Sequence, residues 1–229
     1  MAFNWTQLIP QVGHTYDHVA TLGITSVGVM ALGLVAKASL GKGDTAVIPT
    51  NRFSVRGIFE LLTELIDNIS EMVIGEHGKK YVPFFTAVFL FVLINNIFGM
   101  IPGMTPATEN INTTFGFGCL MFLVYNTQGF RANGFWGYLK HFMGPVIFLA
   151  PLMFVIEMVS HFVRPFSLGL RLANVMAGDH IVLSVFLDLV PIGVPLPFYI
   201  MGTFVCFVQA FVFTLLSMVY VAFAIAHDH

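Results

Sequence analysis

Charge is what this sequence has least of. Of 229 residues, 10 are lysine or arginine and 12 aspartate or glutamate, 10% in all, against a hydrophobic share of 57%. Soluble domains carry about 25% charged residues, so the composition excludes an ordinary soluble domain and points to an integral membrane protein. The basic residues form no run, and a net charge of −2 gives nucleic acid no electrostatic footprint. Cysteine is scarce: Cys119 and Cys206 sit in apolar segments with no CxxC and no metal-ligand spacing, which leaves them as packing residues. Repeats and low-complexity tracts are missing as well. The first basic residue is Lys37, so the N-terminus lacks the basic region of a secretory signal, and the first apolar segment is expected to be retained.

What is present is a series of apolar stretches. Residues 1–18 are polar to mixed, with Trp5 and Tyr16 suited to a membrane interface, and 19–36 carries no charge over the length of one span. Six of the ten basic residues (Lys37, Lys42, Arg52, Arg56, Lys79, Lys80) follow within 37–80. By the positive-inside rule that segment is cytoplasmic and the N-terminus faces out. Within it, 53–76 has a different pattern: Arg56, Glu60, Glu64, Asp67 and Glu71 fall on one side, with Ile58, Leu62, Leu65, Ile69 and Met72 opposite. Such a helix cannot span and is expected to lie along the membrane surface. Residues 81–126 read as a helical hairpin whose outer loop, 105–113, has no basic residue, and Asn95 and Asn96 inside it are expected to bond neighbouring helices. Arg131 and Lys140, with Trp136 and Tyr138 between them, read as a second inner-face segment. From 144 to 190 runs a stretch about twice as long as one perpendicular crossing. It is either two spans turning near Pro165 or one long tilted helix, and the residues alone lean towards two. PIGVPLP precedes a last helix ending near 226.

Inside that long stretch lies the sequence's most unusual pattern. Glu157, Ser160, Arg164, Ser167, Arg171, Asn174 and Gly178 recur at helical steps and share one arc of roughly 100°. A charge at mid-bilayer costs about 2.5–3.5 kcal/mol on insertion scales, so charged residues in spans face a bundle interior or a water-filled cavity. Arginine cannot escape by losing its proton. A snorkelling arginine at a helix end would be the bland explanation, and Arg164, beside Pro165, fits it. Arg171 lies nearly two turns deeper, between LGL and LANVMAG. The small residues around it, Ser167, Gly169, Ala173 and Gly178, would let another helix come close.

RPFSLGLRLANVMAGDH at 164–180, QAFVF at 209–213 and FLFVLINNIFGMIPG at 89–103 together resemble the subunit a family of F-type ATP synthases, the membrane stator that exchanges protons with a rotating c-ring. The resemblance runs from about residue 47 to the C-terminus. It implies an all-α integral membrane protein of about five crossing helices plus one surface amphipathic helix, with the last two long and strongly tilted, and so favours one helix over 144–190. It implies a single membrane domain in a bacterial inner membrane, N-terminus outside and C-terminus cytoplasmic. The implied partners are the c-ring, the peripheral-stalk subunit b, the bilayer and the translocated proton or sodium ion, with no nucleic acid. No cofactor or metal is implied, and no bond chemistry on this chain.

Arg171 matches the family's essential arginine, opposite the ion-binding carboxylate of each c subunit. A fixed positive charge there favours the ionised carboxylate and separates two aqueous half-channels. By distance from that arginine, Glu157, Ser160 and Ser167 match channel-lining positions. Asp179 and His180 fall near the family's acidic or histidine site. Asn174 resembles its asparagine, one residue nearer the arginine than usual. Gln209 matches the glutamine approaching from the last helix, and Glu109 a loop acid near the outer half-channel. The family usually has a histidine or glutamate seven residues before that glutamine; here stands Gly202.

Two other classes compete. A haem-binding respiratory anchor would use pairs among His141, His161 and His180, and would leave Arg171 unexplained. A self-contained transporter would show an internal repeat or paired broken helices, and neither is visible. His14 and His18 read as interface residues, His77 as solvated, His227 and His229 as a tail.

Overall fold

In the computed structural model, residues 17–39, 55–101, 103–141, 150–189, 193 and 195–225 are described. The readings that fall on the N-terminal residues, on Lys42 and Arg52, on 142–149 and on the last residues lie outside them. Six α-helices follow in order: α1 Asp17–Ser39, α2 Val55–Ile74, α3 Val82–Phe98, α4 Ile111–His141, α5 Ala150–Leu189 and α6 Pro195–Ile225. Short 3-10 turns precede α3 (Glu76–Lys80) and α4 (Ala107–Glu109). No strand occurs among the described residues. This is an all-helical membrane protein: α1, α5 and α6 are long and apolar enough to cross a bilayer, and α3 is a shorter apolar helix of 17 residues.

Each boundary has a local cause. Gly75 closes α2 at φ 81°, ψ −156°, a region that residues with a Cβ avoid. Its N–H still reaches Glu71 O at 3.0 Å, and the chain turns back so that Ser70 Oγ donates to Gly78 O at 3.1 Å. α2 is amphipathic as expected. Ile66 and Ser70 are buried, while Leu62, Ile69 and Val73 pack on the core. Pro83 sits in the first turn of α3, where its missing N–H costs nothing. α6 is the hub of the bundle, touching α2, α3, α4 and α5, while α1 lies outside against α2 and α3.

Lipid tails are as apolar as leucine, so close packing and polar contacts hold such a bundle together. Both are visible. The asparagine pair bonds outward as expected: Thr25 Oγ1 donates to Asn95 Oδ1 at 2.8 Å, tying α1 to α3. Thr108 Oγ1 donates to Asn96 Oδ1 at 2.9 Å, and Asn96 Nδ2 donates to Cys206 O of α6 at 3.4 Å. α4 and α5 meet backbone to backbone. A Cβ on Gly118 would run into the Pro165 carbonyl, and one on Gly169 would lie 2.8 Å from Thr114 O.

A kink divides α4: Gly134, at φ 69° and ψ 168°, is not helical, so Trp136 and Tyr138 lie on a short stretch beyond the break and Arg131 just before it. Of the two arrangements open for the long apolar stretch, the one that the resemblance implied is found: it is a single helix, α5, of 40 residues with Pro165 inside it, about 60 Å long at 1.5 Å per residue. The proline removes a helical bond to the carbonyl four residues earlier, that of His161. Tyr125 OH of α4 donates to that carbonyl at 3.3 Å. A borrowed hydroxyl thus lets the helix pass through its proline.

Candidate functional site

α5 is built with two unlike sides. His161, Pro165, Leu168, Leu172, Met176 and Leu183 are buried towards the bundle, whereas Val159, Val163, Phe166, Ser167, Leu170, Arg171, Asn174 and Gly178 are exposed. The later part of the expected polar stripe, from Ser167 to Gly178, therefore lies outside the core in an apolar surface, whereas Glu157, Ser160 and Arg164 are partly buried. α6 continues that surface with Ile200, Met201, Phe204, Phe207 and Val208, all exposed.

The two helices run antiparallel, as three contacts show. Arg164 lies over the rings of Tyr220 and Phe223, at 5.8 and 6.0 Å. Asp179 abuts Gly202, and Phe186 stacks on Phe198 at 4.0 Å. Arg171 lies seven residues after the first contact and eight before the second, on the α6 side of the exposed face. The same register sets Gln209, seven residues beyond Gly202, at about the level of Arg171. Gln209 is buried at 6% exposure, and no hydrogen bond joins the two.

The two arginines have different surroundings. Arg164 Nη2 donates to Glu157 Oε1 at 2.9 Å and is half-buried against the α6 rings. An acid two turns back and two aromatic faces meet its charge within the protein. Arg171 has no hydrogen bond or ion pair among the described residues.

On the other side of the arginine, three candidates come together from separate stretches. Glu109 Oε2, in the turn before α4, lies 3.0 Å from His180 Nδ1, a pairing that is attractive when the imidazole is protonated. Neighbouring Asp179 turns towards α6, where a Cβ added at Gly202 would lie 2.8 Å from its Oδ2 and 2.6 Å from Met100 Cε. The carboxylate thus fills space that a side chain at 202 would need. Ser160 is partly buried on the other stretch of α5, near the Glu157–Arg164 pair in sequence.

The sequence reading missed a buried polar cluster. Asn126 Oδ1 accepts from Tyr138 OH at 3.0 Å and lies 3.0 Å from His161 Nε2, and Tyr125 OH is 3.4 Å from His161 Nδ1. The signal was Pro165, which leaves the His161 carbonyl in need of a donor. His161 and His180 each meet a separate side chain, Asn126 and Glu109, rather than one another, and His141's side chain is outside the described residues. Among the described residues no group of three or more His, Cys, Asp or Glu could hold a metal ion.

A family model described as ATP synthase A chain matches residues 19–222. The chain is 76% identical over 229 residues, all of both chains, to ATP synthase subunit a of Bdellovibrio bacteriovorus. It is 40% identical over 213 residues to that of Geobacter sulfurreducens, covering 93% of this chain and 89% of the relative. With the Trichlorobacter lovleyi protein of the same name it shares 42% over 185 residues, 81% and 80% of the two chains.

Proposed function

The chain belongs to the ATP synthase A chain family, and from that premise we propose that it is the fixed subunit through which ions reach and leave the carboxylates of a c-ring. Arg171 is the gate. The observation that carries this is an exposed guanidinium with no partner among the described residues, set in the apolar face that α5 and α6 present together. Left against lipid, such a charge costs about 2.5–3.5 kcal/mol. A carboxylate arriving on a neighbouring rotor helix removes that cost and is itself held ionised. Gly178 and Ser167 beside it leave room for close approach.

In this reading ions enter by one half-channel, protonate the outgoing carboxylate, and leave by the other after the ring has turned. Glu109, His180 and Asp179 make a polar line from the loop before α4 towards Gly202, and serve the outer path. Asp179 supplies from α5 the ionisable group that the family usually carries at the Gly202 position of α6. Gln209 and Asn174 flank the arginine. Glu157, Ser160 and Ser167 serve the inner path. The charge on Arg171 stops an ion passing directly between the two. Each charge crossing 100 mV delivers about 2.3 kcal/mol, which rotation passes to ATP synthesis elsewhere in the complex; no bond chemistry takes place on this chain. The reading also assigns a bacterial inner membrane, an outward N-terminus, a cytoplasmic C-terminus and contact with the peripheral-stalk subunit b.

Cysteine cross-linking tests it. A cysteine replacing Asn174, in a Cys119→Ala, Cys206→Ala background, should oxidise onto a cysteine placed near the c-subunit carboxylate. Leu172 and Met176, 0% and 3% exposed, should give no product. Bonding from Leu172 or Met176 instead would mean that the opposite face meets the rotor. No bond from any of the three would remove the c-ring from this surface.

A further inference from the structure

The end of the bundle where α1 leaves and α3 enters holds a recess of about 750 Å³ that ion translocation does not use. Its walls are the last turns of α1 (Gly33, Lys37), the charged face of α2 and the start of α3 (Val82, Pro83) with Lys79 just before it. The ends of α1 and α3 put this recess at the height of lipid headgroups, and α2 lies across it as an amphipathic helix.

The charges of the recess balance. Lys37, Arg56 and Lys79 face Glu60, Glu64 and Asp67, three positive against three negative. Arg56 Nε and Glu60 Oε1 are 2.6 Å apart and neutralise each other. The remaining four are unlike that pair. Lys37 of α1 and Lys79 before α3, and Glu64 and Asp67 of α2, make no ion pair or side-chain hydrogen bond among the described residues. A purely anionic headgroup would meet two unpaired carboxylates, and a bare cation would meet two unpaired ammonium groups. A ligand that carries both signs and no net charge satisfies all four.

We propose that this recess binds a zwitterionic phospholipid whose headgroup ends in a primary ammonium, as in phosphatidylethanolamine. The phosphate lies between Lys37 and Lys79, and the ammonium donates N–H bonds to Glu64 and Asp67. Charge-assisted hydrogen bonds are stronger than neutral ones and need a donor hydrogen. A quaternary ammonium has none, so choline lipids fit less well. The acyl chains run beside α1, whose outer side exposes Val27, Met30 and Leu34. Bound there, the lipid would brace the amphipathic α2 against the two spans.

The test uses the full chain in its assembled membrane complex. The complex is equilibrated in detergent with equimolar dioleoyl phosphatidylethanolamine, phosphatidylcholine and phosphatidylglycerol, and retained lipids are counted by native mass spectrometry. The wild type should retain the ethanolamine lipid over both others. Each lysine removed (Lys37→Gln, Lys79→Gln) should lower retention about fivefold, the value of one basic residue at a membrane surface, and arginine at the same positions should restore it. Glu64→Gln with Asp67→Asn leaves two positive charges in excess and should switch the preference to phosphatidylglycerol, an outcome that damage to the fold would not produce. Equal retention of phosphatidylglycerol by the wild type would overturn the role of the carboxylates, and equal retention of phosphatidylcholine the role of the N–H donors. Unchanged retention in all variants would place any bound lipid elsewhere. A disulfide from Lys79→Cys to another polypeptide of the complex would give the recess a protein occupant and refute the lipid.

Discussion

The contact between Asp179 and Gly202 allows a sharp test, because it says that one carboxylate occupies room shared by two positions. Gly202→Glu adds a second acid whose Cβ would start 2.8 Å from Asp179 Oδ2. The nearest atoms, Asp179 Oδ2 and Met100 Cε, are the ends of side chains that can swing away, so Gly202→Ala should be tolerated with little loss. The charge cannot be moved aside so easily. Two carboxylates about 4 Å apart repel by about 4 kcal/mol at an effective dielectric of about 20. That is close to a thousandfold in equilibrium, or about three pH units, so near neutrality the pair shares one proton for much of the time and sheds it incompletely. An ion path that depends on a group gaining and losing a proton would then stall. Gly202→Glu alone should reduce ATP-driven proton pumping in inverted vesicles, read by quenching of a permeant acridine dye, by at least tenfold. Asp179→Gly alone should do the same for lack of a carboxylate. The double variant restores one acid to the same space and should pump better than either single variant. Additive losses in that double variant would refute the reasoning, since independent sites add and sites sharing one space do not. Full pumping by Gly202→Glu alone would also refute it.

Three further outcomes are expected. Arg171→Ala should abolish coupled ATP synthesis in a fully assembled complex, and Arg164→Gln should slow it far less, because a partly exposed ion pair with Glu157 and ring contacts are worth only about 1 kcal/mol each; equal loss in both, measured as synthesis rate per assembled complex, would undo the distinction between them. Asp179→Asn should slow proton flux more than Glu109→Gln, and the reverse order in passive flux through vesicles would put the main path at the loop rather than at the α5–α6 contact. Tyr125→Phe should leave the His161 carbonyl without its donor and lower stability by about 1–3 kcal/mol, seen as a lower midpoint of thermal unfolding in detergent with the ring-facing residues unaltered; an unchanged midpoint would mean the carbonyl finds another donor.

Much of the fold was legible because membrane insertion restricts a chain to few solutions. A polar backbone in lipid must close its own hydrogen bonds, so apolar stretches become helices and charge marks their ends. The 20 residues of α2 declared themselves by periodicity. So did the outward stripe, since Ser167, Arg171, Asn174 and Gly178 are exposed while Leu168, Leu172 and Met176 are buried. That α5 is a single helix was less legible. Length and Pro165 argued for two spans and the family resemblance for one, and a donor from α4 takes the carbonyl that the proline frees. Arg131 and Trp136 look like the end of a span, and the backbone does leave the helical region between them, at Gly134.

Sequence alone placed the chain in a membrane, marked its helical stretches and set Arg171 deep in apolar residues, between LGL and LANVMAG. These follow from composition and from the 3.6-residue period, which are properties of neighbours along the chain. The tertiary structure alone decided which distant groups share a space: Glu109 with His180, Asp179 with Gly202, Tyr125 with the carbonyl freed by Pro165, Lys37 and Lys79 with Glu64 and Asp67. Such pairings depend on the crossing and register of helices, set by small residues such as Gly118 and Gly169 that let backbones touch, and periodicity along one helix carries no information about that.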